Sequence, residues 1–178
     1  MQLSVTRGRA RARRFTPLEL SIAFALGGST LAVMVPAFVH QLHASRFVEP
    51  IQGLTHLGAA AVAYAREHTV EEAFPASTPL TPDAPPRGRC EVDPPGAWEQ
   101  PTWKALDFRP VPAGEPHCFA FGFDSALSPG KSTFRAHAHG DLDGDGIVST
   151  FEVTGEAVSG DARGPRLDPG MFIDGEVE

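Results

Sequence analysis

The apolar stretch from Leu18 to Val39 constrains this chain more than any other feature, and a cluster of arginines stands immediately before it. As a helix, the stretch is about long enough to cross the hydrocarbon core of a bilayer. Arg7, Arg9, Arg11, Arg13 and Arg14 crowd its amino side with no acid among them. That asymmetry places the N-terminus in the cytoplasm and the remainder outside. After Arg14 the chain holds 10 bases against 22 acids, a net of −12. So acidic a remainder has no basic face with which to neutralise phosphates, and nucleic acid is excluded as a partner. A cleavable secretory signal is the rival reading, but no small-x-small site follows the run and Glu19 interrupts it. A plain anchor leaves Glu19 unexplained. A carboxylate costs about 2.5–3.5 kcal/mol at the bilayer centre, less near the edge, and usually signals a partner.

Phe15 and Thr16 follow the arginines, Glu19 stands four residues after Phe15, and Gly28 and Pro36 lie further along the run. Over residues 13–38 this pattern resembles the N-terminus of type IV pilins and type II secretion pseudopilins, the prepilin-type N-terminal methylation motif. The resemblance implies a leader of residues 1–14 cut by a prepilin peptidase between Arg14 and Phe15. It implies a transmembrane half-helix over 15–39, an exposed half over 40–72, and a head over 73–178. The expected partners are other pilin or pseudopilin subunits and the bacterial inner membrane, with the head in the periplasm or on a surface filament. Glu19 would then meet the freed α-amine of a neighbouring subunit's Phe15, so that assembly supplies the counter-charge. One departure matters, because the family's peptidase takes a small residue, normally Gly, where this chain has Arg14. Three readings follow: a tolerant peptidase, an uncleaved membrane-anchored domain that does not assemble, or a true start elsewhere. Pro17 in the first turn is compatible with a helix, since its missing amide would have no helical partner.

Beyond Pro36, the residues Phe47, Ile51, Leu54, Gly58, Ala61 and Ala65 recur at three- and four-residue steps, a stripe for packing on a sheet. Pro50 is expected to kink this helix without ending it, and the helix to fade between His68 and Glu72. The run FPASTPLTPDAPP reads as a surface loop. HCFAFGF, STFRAHAH, GIVSTFEV and MFIDGEV read as short antiparallel strands separated by Gly, Pro and Asp turns. WEQPTWKALDF should pack its rings where loop meets sheet. The fold class expected is α+β, a long N-terminal helix packed on a small antiparallel sheet, which is also the layout of the pilin-like head. Cys90 and Cys118 are the only cysteines. Outside the cytoplasm they are expected to pair and tie the loop to the first strand, the alternative being two free thiols.

GDLDGDGIVSTFE fills the pattern D-x-D-x-D-G-x5-E with Asp141, Asp143, Asp145, Gly146 and Glu152. Ile147 would offer its carbonyl and Ser149 a hydroxyl or a water, the donor set of a Ca2+ loop. Strands rather than helices flank the motif, so the expectation is a calcium-binding hairpin turn and not a sensor. Glu152 leaves the set if it has already joined a strand, and waters then complete a weaker site. The alternative is an acidic turn without metal. His137 and His139 share a strand face, but no third ligand stands at a telling spacing, and His40 and His43 read as solvated. With no nucleophile elbow, HExxH or phosphate-binding glycine loop, the chain reads as a structural subunit and not an enzyme, a periplasmic metal enzyme being the least favoured alternative.

Overall fold

A computed structural model describes the backbone of residues 16–175 and, within that range, the side chains of all but 39–46. The expected leader and Phe15 lie outside these residues. The chain divides into two compact units at the Leu42–His43 boundary.

Helix α1 spans Pro17–Arg46 and carries Pro36 inside it. Its Pro17–Phe38 portion, 22 residues, is long enough and apolar enough to cross a membrane, and none of its side chains is buried within the chain. Backbone polar groups in lipid must be satisfied internally, and a helix does this.

Helix α2 spans Val48–Arg66, and the helical backbone is interrupted at Phe47 alone. Pro50 accounts for the interruption, because a proline ring clashes with the carbonyl four residues back and offers no amide. The predicted stripe is corrected at its start. Ile51 is 40% exposed, whereas Pro50, Gly53 and Leu57 join Leu54, Gly58, Ala61 and Ala65 on the buried face. Gly53 is there for closeness of approach, since a Cβ at that position would stand 2.6 Å from a ring carbon of Phe121. The helix ends at Arg66, slightly earlier than expected, and a 3-10 turn at Val70–Glu72 follows.

The sheet is built on an antiparallel meander of β2 (Phe119–Ser128), β3 (Lys131–Gly140) and β4 (Ser149–Val158). β1 (Thr78–Thr81) pairs with the outer edge of β2, and the short β5 (Arg166–Leu167) and β6 (Phe172–Asp174) both pair with β4. Alternation sorts the two faces. Phe119, Phe121, Phe123, Phe134, Ala136, Ala138, Phe151 and Val153 point inward and are buried. Arg135, His137, His139, Thr150, Glu152 and Thr154 occupy the opposite face. Helix α2 lies against the inner face of β3 and β4. The arrangement is α+β, an apolar N-terminal helix followed by a helix-backed antiparallel sheet.

β1 corrects the expectation that the proline-rich run is only a loop. Pro79 and Pro82 remove backbone donors, which suits an edge strand, and Thr78 and Thr81 turn inward. A short helix α3 (Pro101–Ala105), with proline at its first position, fastens the segment around β1. Thr102 donates to the Ala76 carbonyl at 2.7 Å, and the Trp103 indole donates to Thr81 at 2.9 Å. Trp98, Trp103, Phe108 and Phe121 form a tilted and edge-on ring cluster beneath it, with centroids 5.4–5.8 Å apart for Trp98–Trp103, Trp98–Phe108 and Phe108–Phe121. Cys90 and Cys118 lie at disulfide distance, their Cα atoms 4.2 Å apart. Closing that 28-residue interval is worth roughly 3–4 kcal/mol in the chain-entropy model.

Candidate functional site

Thr16 and Glu19 sit at the entrance to α1. The Thr16 amide and hydroxyl both donate to Glu19 Oε2, at 2.8 and 3.1 Å, and the Glu19 amide donates back to the Thr16 hydroxyl at 3.2 Å. This is a reciprocal capping box, with Thr16 as N-cap, Pro17 as the first helical residue and Glu19 in the third position. A local role for Glu19 was therefore readable in the T-P-L-E string, apart from any role in assembly. Arg14 and Phe15, the predicted cleavage pair, lie outside the described residues.

The acidic loop connects β3 to β4. Asp141, Asp143 and Asp145 bring carboxylate oxygens within 4.8 Å of one another. Each carboxylate also folds the loop. Asp141 Oδ1 accepts the Gly144 amide at 2.8 Å, Asp143 Oδ1 accepts that of Asp145 at 3.1 Å, and Asp145 Oδ1 accepts that of Ile147 at 2.7 Å. Gly146 has φ +93°, a conformation that L side chains rarely adopt and that the tight return requires. Asp141 is buried, its carbonyl accepts the Gly88 amide at 2.8 Å, and the Arg87 guanidinium stands 4.0 Å from its carboxylate. Three carboxylates this close repel one another unless a cation sits among them, and hard oxygen donors suit Ca2+.

Two predicted ligands stand elsewhere. Ser149 is buried and donates to the Gly140 carbonyl at 3.2 Å, closing the first rung of the β3–β4 ladder. Glu152 lies within β4 opposite His137, with its carboxylate 3.4 Å from Arg135. The reason is that β4 already begins at Ser149, so strand alternation and not loop curvature directs both side chains. Ile147 is tied to the loop by its amide, which donates to Asp145, and its side chain is exposed.

A second polar cluster carries no sequence motif. His117 is buried between Asp93 and the start of β2. Its Nδ1 stands 2.7 Å from the Phe119 carbonyl and its Nε2 2.6 Å from Asp93 Oδ2, which also accepts the Trp98 indole at 2.6 Å. A carbonyl only accepts, so in that contact Nδ1 is the donor. Glu49, in the first turn of α2, accepts the Cys118 and Phe119 amides at 3.1 Å. Burial pushes the Glu49 carboxyl above its ordinary range, opposed by the Cys118 amide and by His117. The cluster latches α2 to the leading edge of β2, and it joins residues far apart in the chain. No periodicity or spacing signals it.

On the outer sheet face, His137 and His139 have ring centroids 5.3 Å apart. Burial lowers the proton affinity of both imidazoles, with the Asp124 charge opposing it at His137 and the Glu152 charge opposing it at both. The side chains of His40 and His43 lie outside those described. Comparison with family models, with curated proteins and with solved structures finds no match to this chain.

Proposed function

We propose that this chain is a pilin-like structural subunit, a minor pilin or pseudopilin of a type IV pilus or a type II secretion-like filament, assembled through its N-terminal helix. The observation that carries the reading is α1. Its 22 apolar residues from Pro17 to Phe38 bury nothing within the chain and carry an acid, Glu19, in the first turn. Such a surface must be covered by lipid or by the helices of neighbouring subunits, and the sequence pattern over residues 13–38 has the spacing that pilin assembly uses. The helix-backed sheet supplies a head of the appropriate layout. The test is intact mass and N-terminal sequencing of the protein recovered from membranes and from sheared surface filaments. A chain beginning at Phe15 in the filament fraction is expected. A chain that retains its arginine leader and occurs only in membranes would overturn the proposal.

The Thr16–Glu19 capping box favours a second reading, an uncleaved membrane-anchored domain that does not assemble. There Glu19 serves the end of its own helix, and Arg14 simply remains as a cytoplasmic anchor residue.

In either reading the head is proposed to hold one Ca2+ among Asp141, Asp143 and Asp145, with waters completing the shell in place of Ser149 and Glu152. Calcium at about ten times its Kd stabilises a folded state by about 1.4 kcal/mol. For a head of this size that raises Tm by about 3–6 °C. The full chain in detergent should show this rise on moving from chelator to calcium, and Asp143→Asn with Asp145→Asn should remove it. Identical melting of the wild type in calcium and in chelator would refute the site.

A further inference from the structure

The outer sheet face holds a group of side chains that neither filament assembly nor the calcium loop uses. His137, on β3, lies in register with Gly122 on β2 and Glu152 on β4. Its ring covers Gly122, where a Cβ would stand 2.3 Å from Nε2. The ring is thereby sunk into the sheet surface, with its side chain only 12% exposed. Its Nδ1 is buried and has no hydrogen-bond partner. Unpaired buried nitrogens are uncommon and call for a reason.

The reason lies in Asp124, the diagonal neighbour on β2. His137 Nδ1 faces Asp124 Oδ2 at 3.7 Å, too far for a hydrogen bond. The same oxygen already accepts from Arg135 Nε at 3.2 Å and from its Nη2 at 2.8 Å. A carboxylate oxygen offers about two acceptor positions, so the guanidinium fills this one. Arg135 Nη1 also reaches Glu152, at 3.4 Å. One cation therefore serves two carboxylates while the imidazole beside them goes unpaired. Burial holds the proton affinity of that imidazole below its ordinary value, so the ring is neutral at pH 7. Of the charged and titratable groups facing it, Asp124 and Glu152 favour a proton there, whereas Arg135 and His139 oppose one. A proton on His137 would set two cations against the two acids and balance the group.

We propose that His137, Asp124 and Arg135 form a proton-operated switch on the outer sheet face. Uptake of one proton makes His137 a cationic donor, Asp124 exchanges the guanidinium for it, and Arg135 passes to Glu152. Charge-assisted bonds of this kind are about 2.7–2.9 Å long, so the exchange needs about 1 Å of travel between Nδ1 and the carboxylate. Two strand pairs are then tied separately, β2 to β3 through Asp124 and His137, and β3 to β4 through Arg135 and Glu152. At neutral pH the face shows a partner one acid in excess, and in mild acid it shows two balanced ion pairs. Neither assembly nor calcium binding is required.

The experiment is a pH titration of the full chain in detergent by NMR, following the His137 imidazole and the Arg135 Nε–H together. Both are expected to move with one midpoint, below the ordinary histidine value. His137→Gln should abolish the Arg135 response. That variant removes a sunken ring, so two further variants keep the ring in place. A nearby opposite charge shifts a pKa by about 1–3 units, and half-exposed Asp124 belongs at the low end of that range. Asp124→Asn should therefore weaken proton binding at His137 about tenfold and leave Arg135 insensitive to it. Arg135→Gln frees Asp124 and removes a like charge, so proton binding should strengthen several-fold. An Arg135 resonance that stays still through the His137 titration, or an unchanged His137 midpoint in Asp124→Asn, would overturn the proposal.

Discussion

Glu19→Ala is expected to eliminate the chain from sheared filaments while leaving its amount in membranes near the wild-type level. The cap it removes is worth about 0.5–2 kcal/mol, which does not unfold a helix whose backbone has no alternative partners in lipid. The carboxylate uses one oxygen, Oε2, for both Thr16 donors. A carboxylate offers about four acceptor positions, so capping the helix and meeting a neighbour's α-amine are compatible. The two roles separate with Glu19→Gln. Glutamine sustains a capping box but supplies no charge. If assembly needs the charge, Gln is lost from filaments as Ala is. Incorporation of Gln at wild-type levels would mean that Glu19 acts only as a cap, and the assembly role would be withdrawn. The readout is immunodetection of the sheared and membrane fractions from the same cells.

The parts of the fold that were legible depend on short-range pattern. STFRAHAH alternates small or aromatic residues with polar ones, and β3 places Phe134, Ala136 and Ala138 inward with Arg135, His137 and His139 outward. β1 was hidden because its prolines look like turn residues, whereas an edge strand tolerates missing donors on its free side. Ile51 was misplaced because the stripe was started from Phe47, where the helical backbone is interrupted; within α2 the buried phase is set by Pro50, Leu54, Leu57, Ala61 and Ala65, and Ile51 falls beside it. The acidic motif was legible as chemistry but not as a closed ligand set. Its last two positions belong to β4, and register with β3 governs Ser149 and Glu152 more strongly than the loop does. Glu152 instead stands opposite His137 on the outer sheet face, with its carboxylate beside Arg135. The Glu49–Asp93–His117 latch was illegible for the same reason, since three segments meet only after the sheet has formed.

That latch leads to the other large effect. Glu49→Ala should lower the stability of the head by about 2–3 kcal/mol, because it strips the Cys118 and Phe119 amides of a charged acceptor in a partly closed site. For a unit of this size the loss corresponds to a fall in Tm of roughly 6–10 °C. The same residue governs a pH dependence. Burial raises the folded-state pKa of Glu49 above its ordinary value of 4.5, so the folded head binds the proton more tightly than the unfolded chain does. Its contribution is therefore fully present below about 4.5 and is lost as pH rises through the raised folded value. The slope should flatten once Glu49 is ionised in both states. Glu49→Gln keeps an acceptor for the amides without a titrating proton, so it should cost less than Ala and remove this component of the slope. Trp98, edge-on to His117 at 6.1 Å, reports the transition by near-ultraviolet circular dichroism of the full chain in detergent. An unchanged Tm for Glu49→Ala, or an undiminished pH slope in Glu49→Gln, would show that the contact between α2 and β2 rests on apolar packing alone.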